Sequence, residues 1–325
     1  MTSQLSLPDE SLLTRRFHIV MGKGGVGKSA VAMTLGLHFS KLGLRTLICE
    51  VDDREMLSYA FGVPPSDSEV RTLTEHLSVV SIDTQSALSE YGALRLKIKT
   101  LASLLTRNPL TRALVSIVPG VADLIALGKA FNHERERDPL DPDRPQWDRV
   151  IIDAPSTGHG LTFLRLPLVI KEVVPSGNMR SEADDMWALI SNPDRSCIHV
   201  VSAPEDLALQ EASELWRSLE QDLGVKAQAL WFNKLERSPF NDEEWSSLQS
   251  FLIEPRTPTW LSDALSRRQQ LGECQLEKLN TLSGLNASRA YIPHFAVQSH
   301  ALLRESIAYS LEALQVAHHE RGSDE

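Results

Sequence analysis

The chain has 325 residues, with 33 Lys+Arg against 43 Asp+Glu, a formal net charge of −10, 42% hydrophobic and 23% charged residues. That length suits one large α/β domain or two smaller ones, and the acidic balance argues against a dedicated nucleic-acid binder. No apolar run nears the roughly 20 residues of a membrane span. The first residues lack a basic region followed by an apolar core, so no signal peptide is expected. Cys49, Cys197 and Cys274 lie far apart with no C-x-x-C pair, which suggests reduced thiols in the cytoplasm.

Residues 1–14 are polar with one proline and are expected to form a loose leader. Residues 17–21 (FHIVM) are a short apolar run and read as a buried strand. Gly22 through Ser29, GKGGVGKS, fits G-x-x-x-x-G-K-[ST] without a mismatch, and residues 30–39 follow a helical pattern. Glycines there let backbone N–H groups wrap phosphate oxygens, and the helix N-terminus adds a positive dipole end. Lys28 is placed on the β- and γ-phosphates and the Ser29 hydroxyl on Mg²⁺.

Gly43 stops that helix, and residues 45–51 form a second buried strand with Asp52 at its C-terminal end. In open α/β sheets ligands bind outside the carboxyl ends of strands, which puts Asp52 near the phosphates. Residues 77–82 read as a strand. Residues 87–131 are helical, punctuated at Asn108-Pro109 and Pro119-Gly120, and form a helical insertion of about 86–134. Residues 133–146 are charged and proline-rich and read as a mobile surface loop. Such an insertion either faces a partner or covers one face of the sheet.

Residues 149–152 form a strand that ends in Asp153, followed by APSTGHG; residues 169–190 are helical with breaks at Pro175 and Gly177. Strands at 197–202, 227–232 and 290–292 alternate with helices at 207–223, 243–282 (broken near Pro255 and Pro258) and 301–314. Alternation of this kind predicts a doubly wound, mostly parallel sheet flanked by helices. Without an internal repeat, residues 15–318 form one P-loop NTPase domain with a tail at 319–325.

Three strand ends beyond the loop carry polar residues. Asp153 suits a carboxylate that positions Mg²⁺ through water. Asp52 could orient or deprotonate an attacking water. Asn233 offers an amide to a purine edge. Asp and Asn also commonly cap helices after strands, so it is their joint placement that points to a site.

Lys23, as second residue of GKGGVGKS, makes this the deviant form of the Walker A motif. The chain here resembles the ArsA/Get3 family of arsenite-pump and tail-anchored-protein-targeting ATPases. VDDREMLSYAFG is similar to the family's first switch and IIDAPSTGHGLTFLRLP to its second. APEDLAL resembles its P-E-x-L-S-L segment and WFNKL its V-N-x-L segment, so the likeness spans roughly Arg16 to Leu314. The resemblance implies a Mg²⁺- and ATP-dependent enzyme in which Lys23 reaches the partner's phosphates across a two-fold axis. Gly24, Gly25, Val26, Gly27, Lys28, Ser29 and Ala30 would hold phosphate and Mg²⁺, and Asp52 would be the catalytic carboxylate. Glu205 and Asn233 would contact the nucleotide, and the loop from Pro293 to His300 would lie by the adenine or ribose.

The chain also departs from that family. Asp53-Arg54-Glu55 replaces Pro-Ala-His in the first switch. The C-terminal loop PHFAVQSH lacks the family's glutamate and glycine pattern, and the zinc-binding C-x-x-C is missing, so no structural zinc is expected. Three scattered cysteines, read as core residues, make poor metalloid ligands. His159, inside the second switch, reads as structural. The expectation is a cytoplasmic, nucleotide-switched homodimeric ATPase acting on an unknown protein or membrane client. The alternatives are a positioning ATPase of the ParA/MinD kind, which would want a basic tail, and a non-hydrolysing nucleotide-gated scaffold.

Overall fold

Near-continuous apolar runs are the mark of strands covered on both faces, and the chain folds accordingly. The structure is a computed structural model and describes residues 5–51, 56–65, 69–82, 121–155, 160–173, 175–236, 240, 242–252, 258–297 and 299–322. The strands are β1 (Phe17–Gly22), β2 (Thr46–Glu50), β3 (Arg71–Thr74), β4 (Leu77–Ser81), β5 (Arg149–Asp153), β6 (Ser196–Ser202), β7 (Ala229–Leu235) and β8 (Ser288–Pro293). They form one sheet in the order β3-β4-β2-β5-β1-β6-β7-β8. All pairs are parallel except β3 with β4.

The described helices are α1 (Glu10–Leu13), α2 (Lys28–Lys41), α3 (Met56–Phe61), α4 (Val121–Arg135) and α5 (Gly160–Val173), then α6 (Asn178–Ile190), α7 (Asp206–Leu223), α8 (Asp242–Leu252), α9 (Thr259–Leu279) and α10 (His300–Gly322). Strand periodicity splits the core in two. Phe17, Ile19, Met21 and Ile152 face one cluster with Phe163 of α5 and Trp216 of α7. Val20, Ile48, Ile151 and Trp231 face the other, with Val31 and Leu35 of α2 and Ile307 and Leu311 of α10. The chain is thus an α/β P-loop fold with helices on both sheet faces. Among the described residues no helix is long and apolar enough to cross a membrane.

Several expected elements shift. Residues 5–13, read as a loose leader, dock on the sheet edge: Ser6 and Tyr291 exchange backbone hydrogen bonds at 2.9 and 3.2 Å, and Leu5 and Leu13 are buried. The docking covers the otherwise open edge of β8. Of residues 133–146, read as a mobile loop, 133–135 belong to α4 and 136–146 form a pinned turn. Asp138 N–H donates to Arg144 O at 3.0 Å, and the Arg45 guanidinium pairs with Asp138 at 2.6 Å and Asp148 at 3.3 Å. Part of the charge that suggested mobility is thus met by Arg45, directly before β2. Strand β3, too short and too polar to stand out in the sequence, is set by its pairing with β4. Helix α5 starts at Gly160 and carries Pro167 within it. Of the helical insertion expected at about 86–134, residues 121–134 lie in α4; the rest of it, Asp52 and His159 lie outside the described residues.

Candidate active site

The phosphate end of the site is built at the middle of the sheet, where β1 lies between β5 and β6. Gly22 must be small: a Cβ there would sit 2.4 Å from Val201 O of the neighbouring strand. Gly27 caps α2 in the left-handed region (φ 93°), and a Cβ there would fall 1.9 Å from the Asn233 amide nitrogen. No side chain caps α2, a feature usually worth about 1 kcal/mol. Buried Val31, Leu35 and Phe39 each contribute about 1.5–3 kcal/mol, so packing holds the helix and leaves its first N–H groups for a ligand.

Around this end lies a cleft of about 510 Å³, a size suited to a small molecule. Gly25, Gly27, Lys28, Ser29, Ala30, Asn233 and Pro293 of the expected residues line it, with Asp153. Lys28 is buried, and its ammonium donates to Lys23 O at 3.3 Å. Val26 turns its side chain into the core and its carbonyl toward Asn233. Glu205 is exposed at the start of α7 and does not line the cleft, nor does Gly24. Lys23 pairs with Glu211 of α7 in the same chain, at 2.9 Å.

Two features escaped sequence reading. Glu50, at the end of β2, is buried in register with Asp153 and lines the cleft beside it. The apolar run around it hid it; its place in the last strand position was the available signal. Its Oε1 accepts from Leu57 N–H at 3.0 Å, which ties α3 to the cleft. Ser29, Asp153 and Glu50 offer hard oxygen donors, the kind Mg²⁺ takes, and Gly25, with open space where a Cβ would stand, leaves the loop approachable by phosphate oxygens.

Lys234 is the second. The β7–β8 register slips between Phe232 and Leu235, and Lys234 adopts φ 61° there, a left-handed conformation unusual for a lysine. The slip aims its ammonium at the glycine loop, where it donates to Gly25 O at 2.8 Å. Beside it the Asn233 amide donates to Val26 O at 2.9 Å. Two consecutive residues of β7 therefore clamp two consecutive carbonyls of the loop.

Among the described residues one group has metal-ligating character outside the cleft: His18, Cys197 and His199, all buried. Its ring nitrogens are already committed. Trp231 Nε1–H donates to His199 Nδ1 at 3.0 Å, His199 and His18 share a 2.9 Å bond, and His18 Nε2 meets Arg15 O at 2.8 Å. One pair of neutral tautomers satisfies the whole chain. Burial pushes His199 down to about 3, and burial together with the neighbouring ring holds His18 well below the ordinary range. Burial likewise raises the Cys197 thiol to about 12 and Cys49 further still. Cys274, expected in the core, is exposed. The three thiols do not meet.

A phosphate-wrapping loop after the central strand, with strand-end carboxylates beside it, defines the P-loop class of nucleotide-binding folds. A family profile described as "Anion-transporting ATPase" matches residues 15–180, just over half of the chain, and the chain belongs to that family. It is 28% identical to the ATPase BagA of Mycobacterium tuberculosis over 212 residues, 63% of this chain and 61% of that one. It is 24% identical to the ATPase GET3 of Kluyveromyces lactis over 241 residues, 63% of this chain and 68% of that one. It is 28% identical to the ATPase ASNA1 homolog 1 of Paramecium tetraurelia over 164 residues, 49% and 46% of the two chains. The chain thus spans about three fifths of the mycobacterial relative.

Proposed function

We propose that the chain is a Mg²⁺-dependent ATPase that works in the cytoplasm as a nucleotide-switched homodimer on a protein or membrane-associated client. The observation that supports this most is the glycine loop, closed by Asn233 on one side and faced by Asp153 and Glu50 on the other. Lys28 and the α2 N-terminus would take the phosphates, and Ser29 with Asp153 would hold Mg²⁺. When bound, the ion would neutralise charge on the phosphate oxygens. Val51 N–H donates to Asp153 O at 3.1 Å, so Asp52 follows directly on a residue tied to the cleft; its role would be to orient the attacking water. The names of the relatives support hydrolysis, and the acidic surface weighs against DNA as the client.

The test separates binding from turnover. Asp52→Asn is expected to bind ATP with Mg²⁺ at wild-type affinity while hydrolysis falls about 100-fold or more, the usual cost of losing one transition-state contact. Turnover within threefold of wild type would remove Asp52 from the reaction. Light scattering of the same variant with ATP should show a dimer; a monomer at all nucleotide concentrations would discard the switch.

The Lys23–Glu211 pair supports a second reading for that lysine, in which it tethers the loop to α7 within one chain. In the cross-dimer reading Lys23→Ala slows hydrolysis and Glu211→Ala does not. In the tether reading the two substitutions act alike.

A further inference from the structure

Helices α8 and α9 carry exposed apolar side chains at helical spacing. On α8 the face of Glu244, Leu248 and Phe251 forms a shallow groove, which Phe240 extends just before the helix. Phe251 is 53% exposed, and Phe240 stacks on Trp245 with ring centroids 6.0 Å apart. Glu243 flanks the groove, and α8 contains no Lys or Arg. On α9 Trp260, Ala264, Arg267 and Leu271 follow one another at steps of four, three and four residues, so they share one face. Trp260 is 69% and Leu271 46% exposed. Among the described residues neither Arg267 nor Arg268 forms an ion pair. Single exposed apolar residues are ordinary, but two contiguous stripes of opposite charge mark a contact surface.

The two stripes match when laid antiparallel. Glu244 and Phe251 are seven residues apart, as are Trp260 and Arg267, about 10 Å along each axis. In that register Glu244 meets Arg267, Phe251 meets Trp260, Leu248 meets Ala264 and Phe240 meets Leu271. Acid faces base, and apolar faces apolar. Within one chain the stripes stay open, as the exposure of Phe251 and Trp260 shows. The stretch between them contains Pro255 and Pro258, whose locked φ restricts its folding back. A second copy brings the same two stripes, and one two-fold axis then makes the contact twice. We propose that α8 and α9 form a homotypic docking surface, in which α8 of each copy packs antiparallel on α9 of the other. None of these residues lines the cleft, so the copies stay joined when nucleotide leaves, which goes beyond the switched dimer proposed above.

The experiment is sedimentation velocity of the full chain without nucleotide. Wild type at about 10 µM should be a dimer, as suits a small two-fold interface with aromatic anchors. Glu243→Arg with Glu244→Arg should raise the dimer Kd about 30-fold or more, because like charges then face each other. Arg267→Glu with Arg268→Glu should do the same. Mixed in equal amounts, the two double variants should regain a dimer near wild-type strength, since every contact again pairs opposite charges; that recovery also shows both to be folded. Trp260→Ala should weaken the dimer about 10-fold or more and leave ATP affinity unchanged. A wild-type chain still monomeric at about 100 µM, as it would be if the two stripes closed on each other within one chain, overturns the proposal. So does a dimer that both reversals leave intact, or a mixture that stays monomeric. A dimer that forms only with ATP overturns it and leaves the nucleotide reading standing.

Discussion

The two ends of the cleft are made in different ways. The end proposed to take phosphate comes from one stretch, Gly22 to Ala30, and would read its ligand with main-chain N–H groups. The other end is assembled from Asn233 and Lys234 of β7 and from Pro293, His294 and Phe295 at the end of β8, and what it offers are side chains. Phosphate oxygens present the same negative surface in every nucleotide, so a backbone loop serves, and its geometry fixes a contiguous motif. The two ends are also joined. Asn233 and Lys234 of β7 hold Val26 and Gly25 of the glycine loop. Beneath them the hydrogen-bonded chain Trp231–His199–His18 runs from β7 through β6 to β1.

The largest effect should come from breaking the phosphate end. Lys28→Ala is expected to abolish ATP binding. Gly27→Ala should weaken it about 30-fold or more, because the new Cβ meets the Asn233 amide at 1.9 Å in a left-handed backbone, a strain of about 1–3 kcal/mol before Asn233 moves. Titration with a fluorescent ATP analogue reads both. Affinity in Gly27→Ala within threefold of wild type would mean that the loop is not closed on its ligand as described.

Next comes the buried link between the ends. Both rings titrate below the ordinary histidine range when folded. Above about pH 6.5 the unfolded rings are neutral too and the full stabilisation is present. As pH falls below that, the unfolded chain takes up protons that the folded rings refuse, and stability drops, continuing toward about 3 for His199. The slope should approach about 1.4 kcal/mol per pH unit for each ring. Urea unfolding at pH 8, 6, 5 and 4 measures it. Replacing His18 and His199 together by Gln should flatten the dependence between pH 6 and 4; an unchanged slope would assign the acid limb to other groups.

A smaller effect tests the clamp from β7 onto the glycine loop. Lys234→Ala removes one exposed, charge-assisted bond to Gly25 O, worth about 1 kcal/mol, so ATP affinity should fall about fivefold. Lys234→Gly should lose the same bond and regain part of the stability, because glycine accepts φ 61° without strain. Equal melting temperatures for the two variants would argue that the backbone there is unstrained.

The smallest expected change is in stability on cutting Lys23 from Glu211. The pair is half-exposed, and such pairs are worth about 0–1 kcal/mol. Any large change in hydrolysis after Lys23→Ala therefore comes from the lysine's action on nucleotide and not from loss of fold.

The sequence by itself determined the phosphate end and the sheet that carries it. Phe17 to Ser29 could be read because a strand, a glycine loop and a helix N-terminus follow one another along the chain, and backbone recognition leaves its requirements in consecutive residues. The strand cores were legible for a similar reason: burial on both faces demands an unbroken apolar run. Only the tertiary structure decided the rest. Glu50 looks like an interruption of its strand until its register with Asp153 is known. Lys234 looks like any surface lysine until the slip in β7 is seen to aim its ammonium at Gly25 O. His294 and Glu236, which pair at 2.6 Å, are 58 positions apart, and nothing local to either announces the other. The charges of residues 133–146 suggested mobility because Arg45, the partner of Asp138, lies far away in the chain. In each case the meaning of a polar residue depends on what faces it, and in a doubly wound sheet the facing residue comes from another strand.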